Sequence, residues 1–314
     1  MTTWRGAASL LLLPLLLGPA PASAREAAEG GRKLQLYVMP DTQSWAWNQG
    51  GDSLATWQAV ADALCRQRER FAMVLHTGDM VDLPRLRPAE WDGAGSAMQR
   101  LDACRMPYAI AFGNHDFDNY PPPGPEPRGE GDRGWKALRA RLAYQPQERA
   151  PSGRSALTPL APGWFVLTLD LTPSAADLAW AAAEIAKRPE ASFLVLNHHC
   201  IDRNGVGKPW CAKLFEEQPR IRIAVSGHWL GRVRDAWREV PRAKAPPLIA
   251  LYQNYQHVPA LAAWGVVVEL DPASGAVCVW SENLLDGAIG HPAASAREVG
   301  PVEAGSPRRC LDGR

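Results

Sequence analysis

The amino-acid sequence predicts an α/β sandwich, and three observations carry that prediction. Short apolar runs of strand type alternate with segments of helical period, ligand-type residues recur directly after the runs, and no internal repeat breaks the series. In α/β sheets, sites form outside the carboxyl ends of the strands, so the residues after each run are where chemistry is expected.

Ahead of the first run stands a targeting segment. Arg5 gives a short basic start, Leu10 to Leu17 an apolar core broken only by Pro14, and Ala22-Ser23-Ala24 the small residues a signal peptidase needs. Residues 1–24 read as a cleaved signal peptide and 25–33 as a linker, so a secreted or periplasmic mature chain is expected. The apolar run is short for a bilayer span, and no Cys follows it to carry a lipid; no stable membrane anchor is expected.

The catalytic domain is expected to run from 34 to 285. Leu34–Met39 is its first strand. Residues 54–70 are helical in pattern, because Leu54, Trp57, Val60, Ala61 and Leu64 fall on one face. Phe71–His76 is the second strand, residues 91–104 the next helix, and residues 108–112 a third strand bounded by Pro107 and Gly113. A proline-rich insertion over 120–128 is loop-like, and 134–143 is a further helix. Strands are expected at 164–170, 193–197, 221–226 and 248–253, with a helix at 175–187. Residues 265–270 and 276–280 flank turn residues and read as a terminal hairpin. The Ala/Pro/Gly-rich tail, 286–314, has little to bury and is expected to be poorly ordered.

Composition narrows the function classes. With 46% apolar and 21% charged residues the chain is globular in type, and a net charge of +1 gives no electrostatic footprint for nucleic acid or an anionic membrane. No nucleic-acid partner is indicated. In an exported chain the six cysteines point to disulfides, and the absence of a C-x-x-C pair argues against structural zinc. The spacing favours Cys200 with Cys211, and after it Cys65 with Cys104.

The chemistry lies after the strands. Asp41 and Gln43 follow the first, Gly78-Asp79 with Asp82 the second, and Asn114-His115-Asp116 the third. The later strands end in Asn197-His198-His199 and Ser226-Gly227-His228. Carboxylate, imidazole and amide without thiolate suit zinc, manganese or iron at a hydrolytic site. A bridging carboxylate between two such ions is the arrangement used for phosphoester displacement.

The ordered set Asp41-Thr42-Gln43, Gly78-Asp79-Met80-Val81-Asp82, Gly113-Asn114-His115-Asp116, His198-His199 and Gly227-His228-Trp229-Leu230 resembles the calcineurin-like metallophosphoesterase superfamily. Its Pro40-Asp41-Thr42-Gln43 form is similar to an exported bacterial branch in which Gln replaces the first His. The resemblance implies a two-sheet α/β/β/α sandwich and a small-molecule phosphoester, mono- or diester, as substrate. It implies that Asp79 bridges two divalent ions, that Asn114, His198 and His228 complete one position, and that Asp41 and Gln43 hold the other. His115 is the implied general acid, with Asp116 or Asp118 orienting it.

Two departures from the family pattern shape the expectation. Gln43 offers a neutral carbonyl where the family has an imidazole, and Leu230 stands where the last ligand His belongs. One well-held ion and a second, weaker one are therefore expected. The rival reading is a degenerate fold of this type acting as a non-catalytic binding protein. Among the remaining residues, His76 reads as a core or supporting residue and His199 as facing away from the site. Trp45 and Trp229 are candidates for lining a cleft, while Arg203, Lys208, Arg232 and Arg234, near the late motifs, are candidates to meet a phosphate, with solvated loops the favoured account.

Overall fold

Alternation of side chains along each strand builds this molecule from the middle outward. The computed structural model describes residues 33–47, 53–120, 131–143, 146–202, 204–229, 235–256, 263–289 and 309–311. The expected signal peptide, the linker up to residue 32, residues 121–130 of the insertion, Leu230, His257 and most of the tail lie outside these residues.

The first half contains β1 (Leu34–Met39), α1 (Gln43–Trp47), α2 (Leu54–Arg66), β2 (Phe71–His76), α3 (Glu90–Ala103), β3 (Tyr108–Ile110) and α4 (Arg133–Arg141). Then come β4 (Glu148–Arg149), β5 (Ala156–Ala161), β6 (Trp164–Thr168), α5 (Ala175–Ala186) and β7 (Ser192–Leu196). A small hairpin of β8 (Ile201–Asp202) and β9 (Gly205–Val206) leads into α6 (Pro209–Glu217) and β10 (Ile221–Ser226). The chain closes with β11 (Asp235–Val240), β12 (Leu248–Gln253), β13 (Trp264–Leu270), β14 (Val277–Asn283) and β15 (Arg309–Leu311).

Two large sheets result, ordered β15-β14-β13-β1-β2-β3 and β11-β12-β10-β7-β6-β5-β4. The neighbours β1, β2 and β3 are parallel, as are β6, β7, β10 and β12, while the outer strands join antiparallel. Leu36 and Val38 of β1 pack with Met73, Val166, Leu196, Val225 and Val266 in a core between the sheets. Tyr37 and Met39, one residue along, enter a second core with Trp57, Leu64 and Met98 under the helices of the first sheet. A third core lies beneath α5 and α6 on the outer face of the second sheet, through Ile185, Leu214 and Phe215. The architecture is thus the expected α/β/β/α sandwich.

Helix starts follow local chemistry. Ser53 accepts from the Thr56 amide at the start of α2, and Ser174 does the same for Asp177 at α5. The helix expected over 54–70 ends at Arg66, with turn geometry before β2. β11 escapes detection from sequence because Asp235, Arg238 and Glu239 interrupt any apolar run on that edge strand. Both favoured disulfides, Cys200–Cys211 and Cys65–Cys104, are present, and Cys278–Cys310 adds a third that tethers β15 to β14 within the stretch expected as tail. Among the described residues no helix is long and apolar enough to cross a membrane.

Candidate metal centre and acid site

The parallel strands of both sheets deliver their carboxyl ends to one edge. There β1 leads to Asp41, β2 to Asp79, β3 to Asn114 and His115, β7 to His198, β10 to His228 and β12 to Asn254. Two of these residues, Asp79 (φ 50°) and His228 (φ 71°), hold left-handed backbone conformations that side chains normally avoid. Such strain persists where the surroundings over-determine it, and here the hydrogen bonds do so.

His198 is the hub. Its Nε2 lies 3.1 Å from Asn114 Oδ1, 3.1 Å from His228 Nδ1 and 3.2 Å from Asp79 Oδ2. Its Nδ1 donates to the Thr77 carbonyl at 2.9 Å, which leaves a lone pair on Nε2 in the neutral ring. In that tautomer four acceptor atoms can converge, an arrangement that suits a cation. The ligand atoms of Asp79, His198 and His228 all fall within 4.8 Å of one another. The two carboxylates also draw positive charge onto the hub itself. Burial opposes a charge on His198, yet the Asp79 and Asp41 carboxylates raise its pKa to about 9. Burial, and then His198, push His228 down to about 3, so its ring stays neutral. Burial would raise Asp79, but His198 and His115 hold its carboxyl far below the usual range.

Asp41 is held from three sides. Its Oδ1 accepts from Thr77 Oγ1 at 2.7 Å, and its Oδ2 from the His228 amide at 2.9 Å and Asn254 Nδ2 at 2.8 Å. Burial raises its pKa to about 6. Through those bonds Asp41 ties the ends of β1, β2, β10 and β12 together, with its Oδ1 3.9 Å from His198 Nδ1. Gln43 keeps its Oε1 buried without a partner, while its Nε2 lies 3.3 Å from His115 Nε2. That carbonyl suits a hard cation, as does the donor set around His198.

His115, the expected acid, stands next to the cluster. His115 Nδ1 lies 2.8 Å from the Asp82 carbonyl and 3.2 Å from its carboxylate. Arg87 pairs with Asp82 at 2.7 Å, and Glu90 accepts from the Asp82 and Leu83 amides. Burial opposes protonation of His115, but Asp79 and Asp82 raise its pKa above the ordinary value. The ring of Tyr120 covers His115 at 3.8 Å between centroids, and its hydroxyl shares a hydrogen bond with Asn114.

Asp82 thus takes the orienting place expected of Asp116 or Asp118. Asp116 instead accepts the amides of Gly113, Asp79 and Met80, which locks the β2 and β3 loops together. Burial and Asp79 push it up to about 7 while those amides favour its charged form. Asp118 accepts from Arg133 and Gly134 at the start of α4.

Several secondary expectations are settled by the same geometry. His76 is fully buried between Thr42 Oγ1 and the Gly78 amide, a supporting residue as expected. Trp45 is 1% exposed and part of the core, so it lines no cleft. His199 does not face away, since its ring stands 5.8 Å from that of His228. Thr77 and Tyr120 were invisible to motif reading, whereas Asp82 carried a signal in its spacing from Asp79.

Comparison with known proteins agrees with this picture. A calcineurin-like phosphoesterase family profile matches residues 34–232, more than half of the chain. No curated protein matches. Among solved structures, a purple acid phosphatase from yellow lupin (Lupinus luteus) seeds is similar with a TM-score of 0.56 and 16% identity, covering 82% of this chain and 53% of its own. This chain therefore spans about half the length of that enzyme. A dimetal phosphatase from Danio rerio is similar with a TM-score of 0.53 and 15% identity over 81% of this chain and 98% of its own.

Proposed function

This chain belongs to the calcineurin-like phosphoesterase family, and from that premise we propose that it is a metal-dependent phosphoesterase acting on a small-molecule phosphate ester. The observation that carries the reading is the convergence of Asp79, Asn114 and His228 on His198 Nε2. Those four residues would hold a divalent ion, with Gln43 Oε1 available toward a weaker second one. When bound, such ions polarise the phosphoryl group and acidify a water for attack near neutral pH.

The chain's own residues do the rest. Asp82 holds His115 by its Nδ1 and favours the protonated ring. His115 then protonates the leaving alkoxide from Nε2, the ring nitrogen that Asp82 leaves free. Tyr120 covers one face of the imidazole and keeps it beside Asn114. Three disulfides support an exported, oxidising location. The engaged oxygens of Asp41 favour the second reading, a binding protein, because they weaken the two-ion arrangement.

Assay of the mature protein with aryl phosphate mono- and diesters, with and without added Mn²⁺ or Zn²⁺, separates the two. Metal-dependent turnover abolished by His198→Ala is expected. Turnover equal in His198→Ala and the parent would remove the metal centre from the account.

A further inference from the structure

One cation on the His228 side of the ligand cluster, Lys208, has no role in the chemistry above. Lys208 Nζ stands 5.2 Å over the ring of Trp229, and that ring packs edge-on to His228 at 4.8 Å. Lys208 immediately precedes α6, and Cys200–Cys211 ties the first turn of α6 to the loop carrying His198 and His199. The lysine is therefore positioned at both ends, its ammonium by the indole face and its backbone by the disulfide. Among the described residues no carboxylate pairs with it. His199, 7% exposed, keeps its Nδ1 buried without a partner on the same side. A lysine in an ordinary solvated loop would need neither the platform nor the tether, and the orphan imidazole nitrogen marks a place short of a polar group.

We propose that Lys208 grips a non-bridging oxygen of the substrate's phosphoryl group and selects a phosphate monoester over a diester. The inference rests on the phosphoesterase reading and sharpens it. A monoester phosphate carries close to two negative charges near neutral pH and presents three terminal oxygens. Two of them can meet the metal side of the site, and the third is left for a cation. A diester has one charge fewer, and its second ester arm takes the place of that third oxygen. Lysine suits the task as a compact point charge on a flexible stem.

The test compares parent, Lys208→Ala and Lys208→Arg, each Mn²⁺-loaded and matched for metal content, on p-nitrophenyl phosphate and bis-p-nitrophenyl phosphate. For Lys208→Ala, KM for the monoester should rise about tenfold with kcat little changed, while the diester KM stays within about twofold, and Lys208→Arg should recover most of the loss. Equal effects on both esters, or none on either, would overturn the inference. Binding of inorganic phosphate by titration calorimetry supplies a readout independent of turnover, and Lys208→Ala should weaken it about tenfold. Parent protein that binds phosphate through Lys208 but hydrolyses neither ester would sink the phosphoesterase reading and leave this one standing. Phosphate binding unchanged by Lys208→Ala in an active enzyme would do the reverse.

Discussion

His115 and Asp82 show how much one side chain depends on another at this site. The Asp82 carbonyl and carboxylate both meet His115 Nδ1, so the imidazole is held in one orientation with Nε2 turned toward Gln43. His115→Ala should lower kcat by ~10²–10⁴-fold with bound metal unchanged, which metal analysis alongside the kinetics will check. Asp82→Asn should cost less in kcat and move the pH profile. The sign follows from the charges: Asp79 and Asp82 raise the His115 pKa, so losing the Asp82 carboxylate lowers it. An acid is active only while protonated, so the alkaline limb of the rate profile should shift to lower pH. A limb that stays in place would deny His115 the role of acid. From the sequence, His115 was legible because its motif follows a strand. Its neighbours in the chain, Asp116 and Asp118, were expected to orient it, but the residue that meets its Nδ1 is Asp82. The turn at Gly113 sends the Asp116 carboxylate onto three backbone amides instead.

At the scale of elements, the strand-end loops hold the site through close backbone approach. A Cβ on Gly113 would run into the Asp79 carboxylate and amide, and one on Gly227 into the Asp41 carboxylate and Thr77. Gly113→Ala should therefore destabilise the fold by ~1–3 kcal/mol and reduce bound metal, measured by thermal unfolding and metal analysis. Strands of apolar run such as β1, β2, β10 and β12 were readable at their boundaries because they are buried on both faces. Elements outside that rule were not: α1 is only five residues long, and β15 is three residues held by pairing and a disulfide. Removing that bond with Cys278→Ala and Cys310→Ala together should cost ~2–4 kcal/mol of stability, from a loop with 32 residues of separation. Metal content should not change, because β14 and β15 lie on the side of β13 away from β1.

For the whole molecule, the two sheets divide the labour. The first supplies Asp79, Asn114 and His115, the second His198 and His228, and the core between the sheets fixes their relation. Asp41 and Asn254 stitch the two sheets at the same edge through one hydrogen bond. The sandwich, and the gathering of Asp79, His198 and His228 at one edge, were legible because each of those residues follows a recognisable strand. What sequence could not give was the engagement of Asp41, which depends on Thr77, His228 and Asn254 from three other strands. That engagement, with the donor set around His198 intact, makes an unequal pair of ion positions the central claim. Equilibrium dialysis against Zn²⁺ or Mn²⁺ followed by metal analysis tests it directly. A single tightly held ion per chain, lost in His198→Ala and joined by a second only at much higher metal concentration, is the predicted result. Two ions bound with equal affinity to the parent chain would contradict it.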